Sequence, residues 1–258
     1  MKYFLVIIGI SFLLTGCAPR GEKLVEKELN IPIQTDNKNE GLYLEIDRYV
    51  YRGKNPNNYI KFNDQLLRII SFENDGTIKI KAPNINLNED IPFDINNNGD
   101  WRNSSLREYL NDIYYNSLSK KSKKLIISHD WEMGRITNEV YEKVIAGKFE
   151  LLKENEITRK VKNYIGLLTL SDYSSSLLDR TCLINNKGCP DNYIYGDGIS
   201  WTLNSQTDKT NWIINYATGF ATIEGTNQTN FYIEPVFYIK YGLKIKGKGT
   251  INNPFAIE

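Results

Sequence analysis

Four groups of residues carry side chains whose types and spacing could do chemistry. Asp94, Asn96 and Asn98, followed by Gly99 and Asp100, reproduce the first half of an oxygen-ligand calcium loop, D-x-N-x-N-G. Alternating acceptors point one way while glycine permits the tight bend. The twelfth position, where a bidentate carboxylate belongs, is Ser105, so Asp100 or Glu108 would have to substitute. The competing reading is an Asx-rich loop that caps the following helix. The second group, His129, Asp130, Trp131 and Glu132, joins the only histidine to two carboxylates. A triad needs a nucleophile, a base and an orienting group within reach. The sequence offers no G-x-S-x-G elbow and no second histidine for zinc, so a strand end with a buried tryptophan is the simpler reading. The third group is Cys182 and Cys189, spaced C-x6-C beside Gly188 and Pro190, which suits a loop staple. The fourth comprises Tyr193, Tyr195 and Trp201, with Trp212 and Tyr216, in a region rich in glycine and asparagine. Such aromatics can stack on sugar rings while amides bond hydroxyls. Core packing competes for the tryptophans; Tyr193 and Tyr195, in the loop after the cysteines, are expected to be exposed.

The amino terminus decides the compartment in which these groups would act. Lys2 supplies a positive start, and residues 3–14 form an apolar run of about twelve, signal-peptide length and short of the roughly 20 that span a bilayer. The run ends in Leu14, Thr15, Gly16 and Cys17, which resembles the lipobox of bacterial lipoproteins. That resemblance implies cleavage before Cys17 and fatty acylation there, with two or three chains giving stable anchoring. The expected organisation is a signal peptide over 1–16, a lipidated Cys17 with a polar tether over 17–40, and one globular domain over 41–258. Outside the cytoplasmic membrane an even cysteine pair reads as a disulfide, worth roughly 2–3 kcal/mol for so short a loop.

Composition narrows the partners. Basic and acidic residues nearly cancel, 32 against 31, and no long basic run appears, which argues against a nucleic-acid surface. Aromatics at 12%, many of them tyrosine, favour strands and sugar-stacking faces alike.

The elements that must position these groups are mostly short strands. Leu42 to Tyr51 alternates as one strand; Tyr59–Phe62, Leu66–Phe72 and Thr77–Lys81 follow, separated by Asn63-Asp64 and Asn74-Asp75-Gly76, both hairpin signals. Ser105 with Glu108 suggests a capping box for a helix whose apolar stripe is Leu106, Tyr109, Leu110 and Ile113. A second helix is predicted over Asn138–Ile145, ending at Gly147, and a short one is possible over Glu22–Leu29. Ile165–Leu170 reads as an apolar strand, and the C-terminal third as further strands. The expected fold class is α+β, mainly antiparallel short strands with two main helices.

Several segments resemble an uncharacterised extracytoplasmic domain family of low-GC Gram-positive bacteria. They are Tyr49–Gly53, Asn55–Asn63, Leu67–Ile70, Trp101 with Ser104–Arg107, Tyr109–Asn111, Gly166–Leu168, Ser171–Tyr173, Trp201–Asn204 and Gly247–Ile257. The resemblance covers roughly residues 41–258 and implies a C-type-lectin or formylglycine-generating-enzyme class of fold. Relatives of the latter kind bind copper through two thiols, an alternative use for Cys182 and Cys189. Two departures stand out. Leu67 replaces a frequent tryptophan, and Glu234, before Pro235 and Val236, replaces a frequent arginine, which puts any buried salt bridge of that arginine in doubt. The function expected is non-catalytic recognition of a glycan or cell-surface partner by a membrane-anchored lipoprotein. The rivals are a peptide- or toxin-sequestering immunity lipoprotein and a cell-envelope enzyme, the latter needing paired carboxylates across a cleft.

Overall fold

A computed structural model describes residues 19–85, 91–184, 189, 192–194, 198–215 and 219–258. Cys17 and its lipobox, Tyr195 and Tyr216 lie outside the described residues. The first element is a helix over residues 20–28 (α1), whose second part widens into a π-helical turn over Lys23–Glu28. Leu24 and Val25 point inward and are buried with the main core, and Tyr49 Oη donates to Glu26 at 3.0 Å. Ile33–Gln34 (β1) then pairs in parallel with Gly41–Glu45 (β2). The stretch expected to be a free tether is therefore packed on the body from Arg20 onward. An amphipathic turn of this kind gains more by covering apolar surface than a solvated tether would.

Strand β2 turns back on Arg48–Arg52 (β3) through the two-residue loop Ile46-Asp47, with Glu45 opposite Arg48. The expected single strand over 42–51 is thus a hairpin. No glycine or asparagine marks the turn: Ile46 itself takes φ 60°, a left-handed conformation that a β-branched residue rarely adopts. The next turn is conventional. Tyr59–Phe62 (β4) and Gln65–Phe72 (β5) join through Asn63 and Asp64, both at positive φ as a type I′ turn demands. Ile78–Lys81 (β6) follows on β5.

The helix expected after the Asn-rich loop runs over residues 105–117 (α2), and its central six residues are π-helical. Ser104, rather than Ser105, caps it by accepting from Arg107 N. Lys120–Lys123 (α3) is a helical turn capped by Ser119, whose side chain accepts from Ser122 N. Ile126–Ile127 (β7) and His129–Glu132 (β8) lead to Asn138–Ile145 (α4), the second expected helix. Glu150–Glu156 (α5) comes next, then Lys160–Asn163 (β9), paired to β8, and Ile165–Gly166 (β10). The apolar run to Leu170 is not one strand. Thr169 and Asp172 form a capping box, which starts Leu170–Ser175 (α6). Thr181–Ile184 (α7) precedes a separate three-stranded sheet of Ile199–Ser205 (β11), Thr210–Asn215 (β12) and Gly219–Glu224 (β13).

Val236–Ile239 (β14) is the strand that joins the halves, pairing with β6, β7 and β10. Ile245–Lys246 (β15) and Phe255–Ile257 (β16) close the chain, and β16 lies parallel to β4. The main sheet has eleven strands among the described residues, and it curls around a core shared by α1, α2, α6, the three-stranded sheet and the β8–β9 pair. The protein is thus mixed α and β, dominated by strands, with more helical pieces than the two expected. No helix among the described residues is long and apolar enough to cross a membrane.

Candidate functional site

The largest cleft described, about 620 Å³, opens between the β2–β3 hairpin, the turn at residues 73–75, strand β8 and helices α5 and α6. Behind its lining residues Arg48 and Glu73 lies a buried set of charges. Strand β6 is covered on both faces, so its Lys79 cannot reach water and instead donates to Asp172 Oδ2 at 2.6 Å. Arg48 lies 3.6 Å from the other oxygen of Asp172 and 4.0 Å from Glu73. Asp172 also accepts from Thr169 N in the capping box, which fixes its direction. Burial pushes the Asp172 carboxyl up, but Lys79 and Arg48 outweigh it and bring it down to about 2. Burial alone would lower the Arg48 guanidinium; Glu73 and Asp172 reverse that and hold it above its ordinary range.

One wall carries the sole histidine. His129 stacks on Tyr238 with ring centroids 3.7 Å apart and meets Trp131 edge-on. Burial, then the nearby Lys79 charge, lowers its pKa below 6.5, so the imidazole is neutral at pH 7. Next along β8, Glu132 accepts from Lys153 of α5 and lies 3.3 Å from Lys160. The opposite wall sets Glu45 against Arg52 at 2.6 Å and Arg180 at 2.9 Å, with Ser175 Oγ donating to Glu45 at 2.6 Å. Two serines of α6 behave differently. Ser171 donates to both oxygens of the buried Glu156, whereas Ser174 Oγ borders the cleft, is buried and has no hydrogen-bond partner among the described residues. Burial raises the Glu156 pKa despite the Ser171 contacts.

Chemically this is a set of fixed donors and acceptors of alternating sign, held before any ligand arrives. Its carboxylates face cations or hydroxyls, and its histidine is desolvated. The arrangement orients a polar ligand better than it moves a proton, because a proton-transfer group needs a pKa near the working pH. Among the described residues, no group of three His, Cys, Asp or Glu side chains could hold a metal ion.

The residues singled out from the sequence are dispersed. His129 and Glu132 reach the cleft, and Trp131 is buried behind them with Nε1 donating to Asn163 O. Cys182 and Cys189 are joined by a disulfide, the pairing expected of them. In the Asn-rich loop, Asp94 is 1% exposed, accepting from Asn96 N, Asn98 N and Ser105 N. Asn98 accepts from Asp100 N, and Asp100 caps the turn Trp101–Asn103 while facing Arg102 and Arg159. These acceptors therefore meet backbone N–H groups and guanidinium ions, the arrangement of a helix-capping loop. Tyr193 corrects an expectation of exposure, and Trp201 takes the core-packing reading instead of serving as a ligand platform. Trp201 is 1% exposed against Phe93 and Phe231, and Tyr193 is 7% exposed beneath Arg68. Large aromatic faces are worth more in the core than in a loop.

Sequence reading missed the cleft residues Glu45, Arg48 and Arg180 and the buried Lys79–Asp172 pair that supports Arg48. The alternation Ile78-Lys79-Ile80-Lys81 suggests a strand with one wet face, which hides Lys79; the Thr169-x-x-Asp172 spacing is the one local signal that was available. The departure at Glu234 is also explained. Lys81 donates to Glu234 at 2.5 Å and Ser200 Oγ donates at 3.0 Å, so a buried ion pair exists here with glutamate as its acid. Leu67 is buried opposite Ile60.

Residues 75–241 match a family described as a domain of unknown function, DUF6273, and the chain belongs to that family. The match contains His129, Ser174 and Tyr238 of the cleft and the buried Lys79–Asp172 pair behind it, while Glu45, Arg48 and Glu73 precede it. No curated protein and no solved structure shows a significant similarity to this chain.

Proposed function

We propose that this protein is a surface lipoprotein, anchored by fatty acyl chains on Cys17 at the extracytoplasmic face of the cell membrane, that recognises a glycan or another polar cell-surface ligand in the charged cleft without transforming it. The observation that carries the reading is the unpartnered Ser174 Oγ in a cleft already lined by paired Glu45, Arg180, Glu132 and Lys153. A buried hydroxyl with no partner costs about 1–3 kcal/mol, and a ligand hydroxyl or carboxylate would recover it. Carbohydrate binding also uses ring faces, and the His129–Tyr238 stack presents one at the wall. A C-type-lectin-like arrangement is the finer fold reading. It is supported by the return of the last strand, β16, to lie parallel beside the early strand β4.

A polypeptide ligand is the second reading, favoured by Ile46. That side chain is 88% exposed at the cleft rim, on a backbone conformation that disfavours it. Strain of this kind persists where a contact needs the residue. The test is an array of glycans and envelope peptides probed with the full chain in detergent micelles, followed by calorimetry of Ser174→Ala and Lys153→Ala. The expected result is at least one ligand whose affinity falls about tenfold in the variants, as loss of one charged or buried hydrogen bond implies. A hit insensitive to both variants, or an array without hits, removes the recognition reading; a changed ligand after incubation replaces it with catalysis.

A further inference from the structure

The chain's two densest lysine runs are far apart in sequence, at Lys120–Lys124 and Lys240–Lys248, and neither contains an acidic residue. The fold brings them together. Ile239 pairs with Ile126, and Lys240 N donates to Leu125 O at 3.0 Å. Lys120, Lys121, Lys124, Lys240 and Lys244 are all exposed. Tyr241, half-exposed beside them, lies under the Arg20 guanidinium at 4.1 Å. Since the whole chain has a net charge of only +1, this face reflects separation of charge across the molecule. Neighbouring carboxylates offset only part of it: Glu258 pairs with Lys246 and Asp64 shares a small pocket with Lys61 and Lys121, while Lys120, Lys124, Lys240 and Lys244 form no ion pair among the described residues.

We propose that this basic face is a docking surface for an anionic phospholipid bilayer, so that the body lies on the membrane instead of standing off it. The proposal rests on the anchored reading above and deepens it by giving the body an orientation. Cys17 precedes Arg20 by three residues, a reach of about 10 Å even when fully extended. Arg20 is itself held against the body, since Gly21 N donates to Asn74 O at 3.1 Å and Arg20 covers Tyr241. An acylated Cys17 would therefore bring the lysine face to headgroup level. Lysines near a surface of anionic lipid each strengthen partition several-fold, and tyrosine favours the same depth. Asn74 and Asp75 also border the charged cleft, so the cleft mouth would open close to the bilayer plane and take ligands from the membrane surface.

The four native tryptophans are buried, at 0–2% exposure, which leaves room for a surface reporter. Full-length acylated protein carrying Tyr241→Trp is placed in vesicles of phosphatidylcholine, or of phosphatidylcholine with phosphatidylglycerol, both with brominated acyl chains. The expected result is strong quenching of the reporter only with the anionic lipid. It should be reversed in 1 M salt, where the screening length is about 3 Å, and weakened roughly fivefold for each of Lys240→Gln and Lys124→Gln. Equal quenching in the two lipids, with the protein still bound to both, overturns the docking surface and leaves the anchor standing. Salt-reversible binding to anionic vesicles with none to neutral ones supports the surface and overturns the anchor.

Discussion

At the scale of single residues, this protein is governed by charges that burial forces into pairs. His129 shows the cost of leaving one unpaired. Its folded pKa lies below the unfolded value, so its contribution to stability is present above about pH 6.5 and is lost as pH falls through the folded pKa. As the only histidine, it gives one set of imidazole proton signals, and their NMR titration should centre below 6.5. In Lys79→Met the midpoint should rise, because a repelling cation is gone; an unchanged midpoint would show that Lys79 does not act on the ring. Glu156 has the opposite sign. Its raised pKa means that folding favours the protonated form, so stability declines as pH rises from the unfolded value near 4.5 through the folded one. Glu156→Gln keeps the shape and removes that penalty. Urea unfolding should find the variant at least as stable as the wild type at pH 8, with an advantage that shrinks towards pH 4.

At the scale of elements, turns and close approaches decide what alternation cannot. The β2–β3 turn places Ile46 at positive φ with its side chain in solvent, so replacement should relieve strain at little loss of packing. Ile46→Gly is expected to raise stability by about 1 kcal/mol in thermal melts while weakening any ligand that uses the rim. Strand β10 shows the reverse constraint. A Cβ on Gly166 would meet the Trp131 ring at 2.6 Å, and that ring is walled in by Tyr238. Gly166→Ala should therefore cost about 1–3 kcal/mol and disturb the near-ultraviolet signal of Trp131. Neither position was legible beforehand. Leu42 to Tyr51 alternates as well as any strand, and a lone glycine in an apolar run says nothing of the ring above it. The Asn63-Asp64 turn and the Asn138–Ile145 helix were legible, because turn chemistry and helical period are local properties.

At the scale of the whole molecule, the first described helix is part of the domain. A chain beginning at Gly41, the boundary the composition suggests, loses the buried Leu24 and Val25 and the partner of β2. It should unfold at lower denaturant than one beginning at Pro19, by at least about 3 kcal/mol. Equal stability of the two would restore the tether. The sequence by itself determined the strand-rich mixed class, the pairing of Cys182 with Cys189 and the places of the two longer helices. Each of these follows from side chains near one another along the chain: a repeating apolar period, a turn dipeptide, two thiols seven residues apart. Only the tertiary structure decided that Lys79 meets Asp172 across 93 positions, that Tyr193 and Trp201 face inward, and that β14 gathers β6, β7 and β10. Those outcomes depend on which faces end up covered on both sides, and burial of that kind is set by contacts distant in sequence, where a charge must find its partner or leave the core.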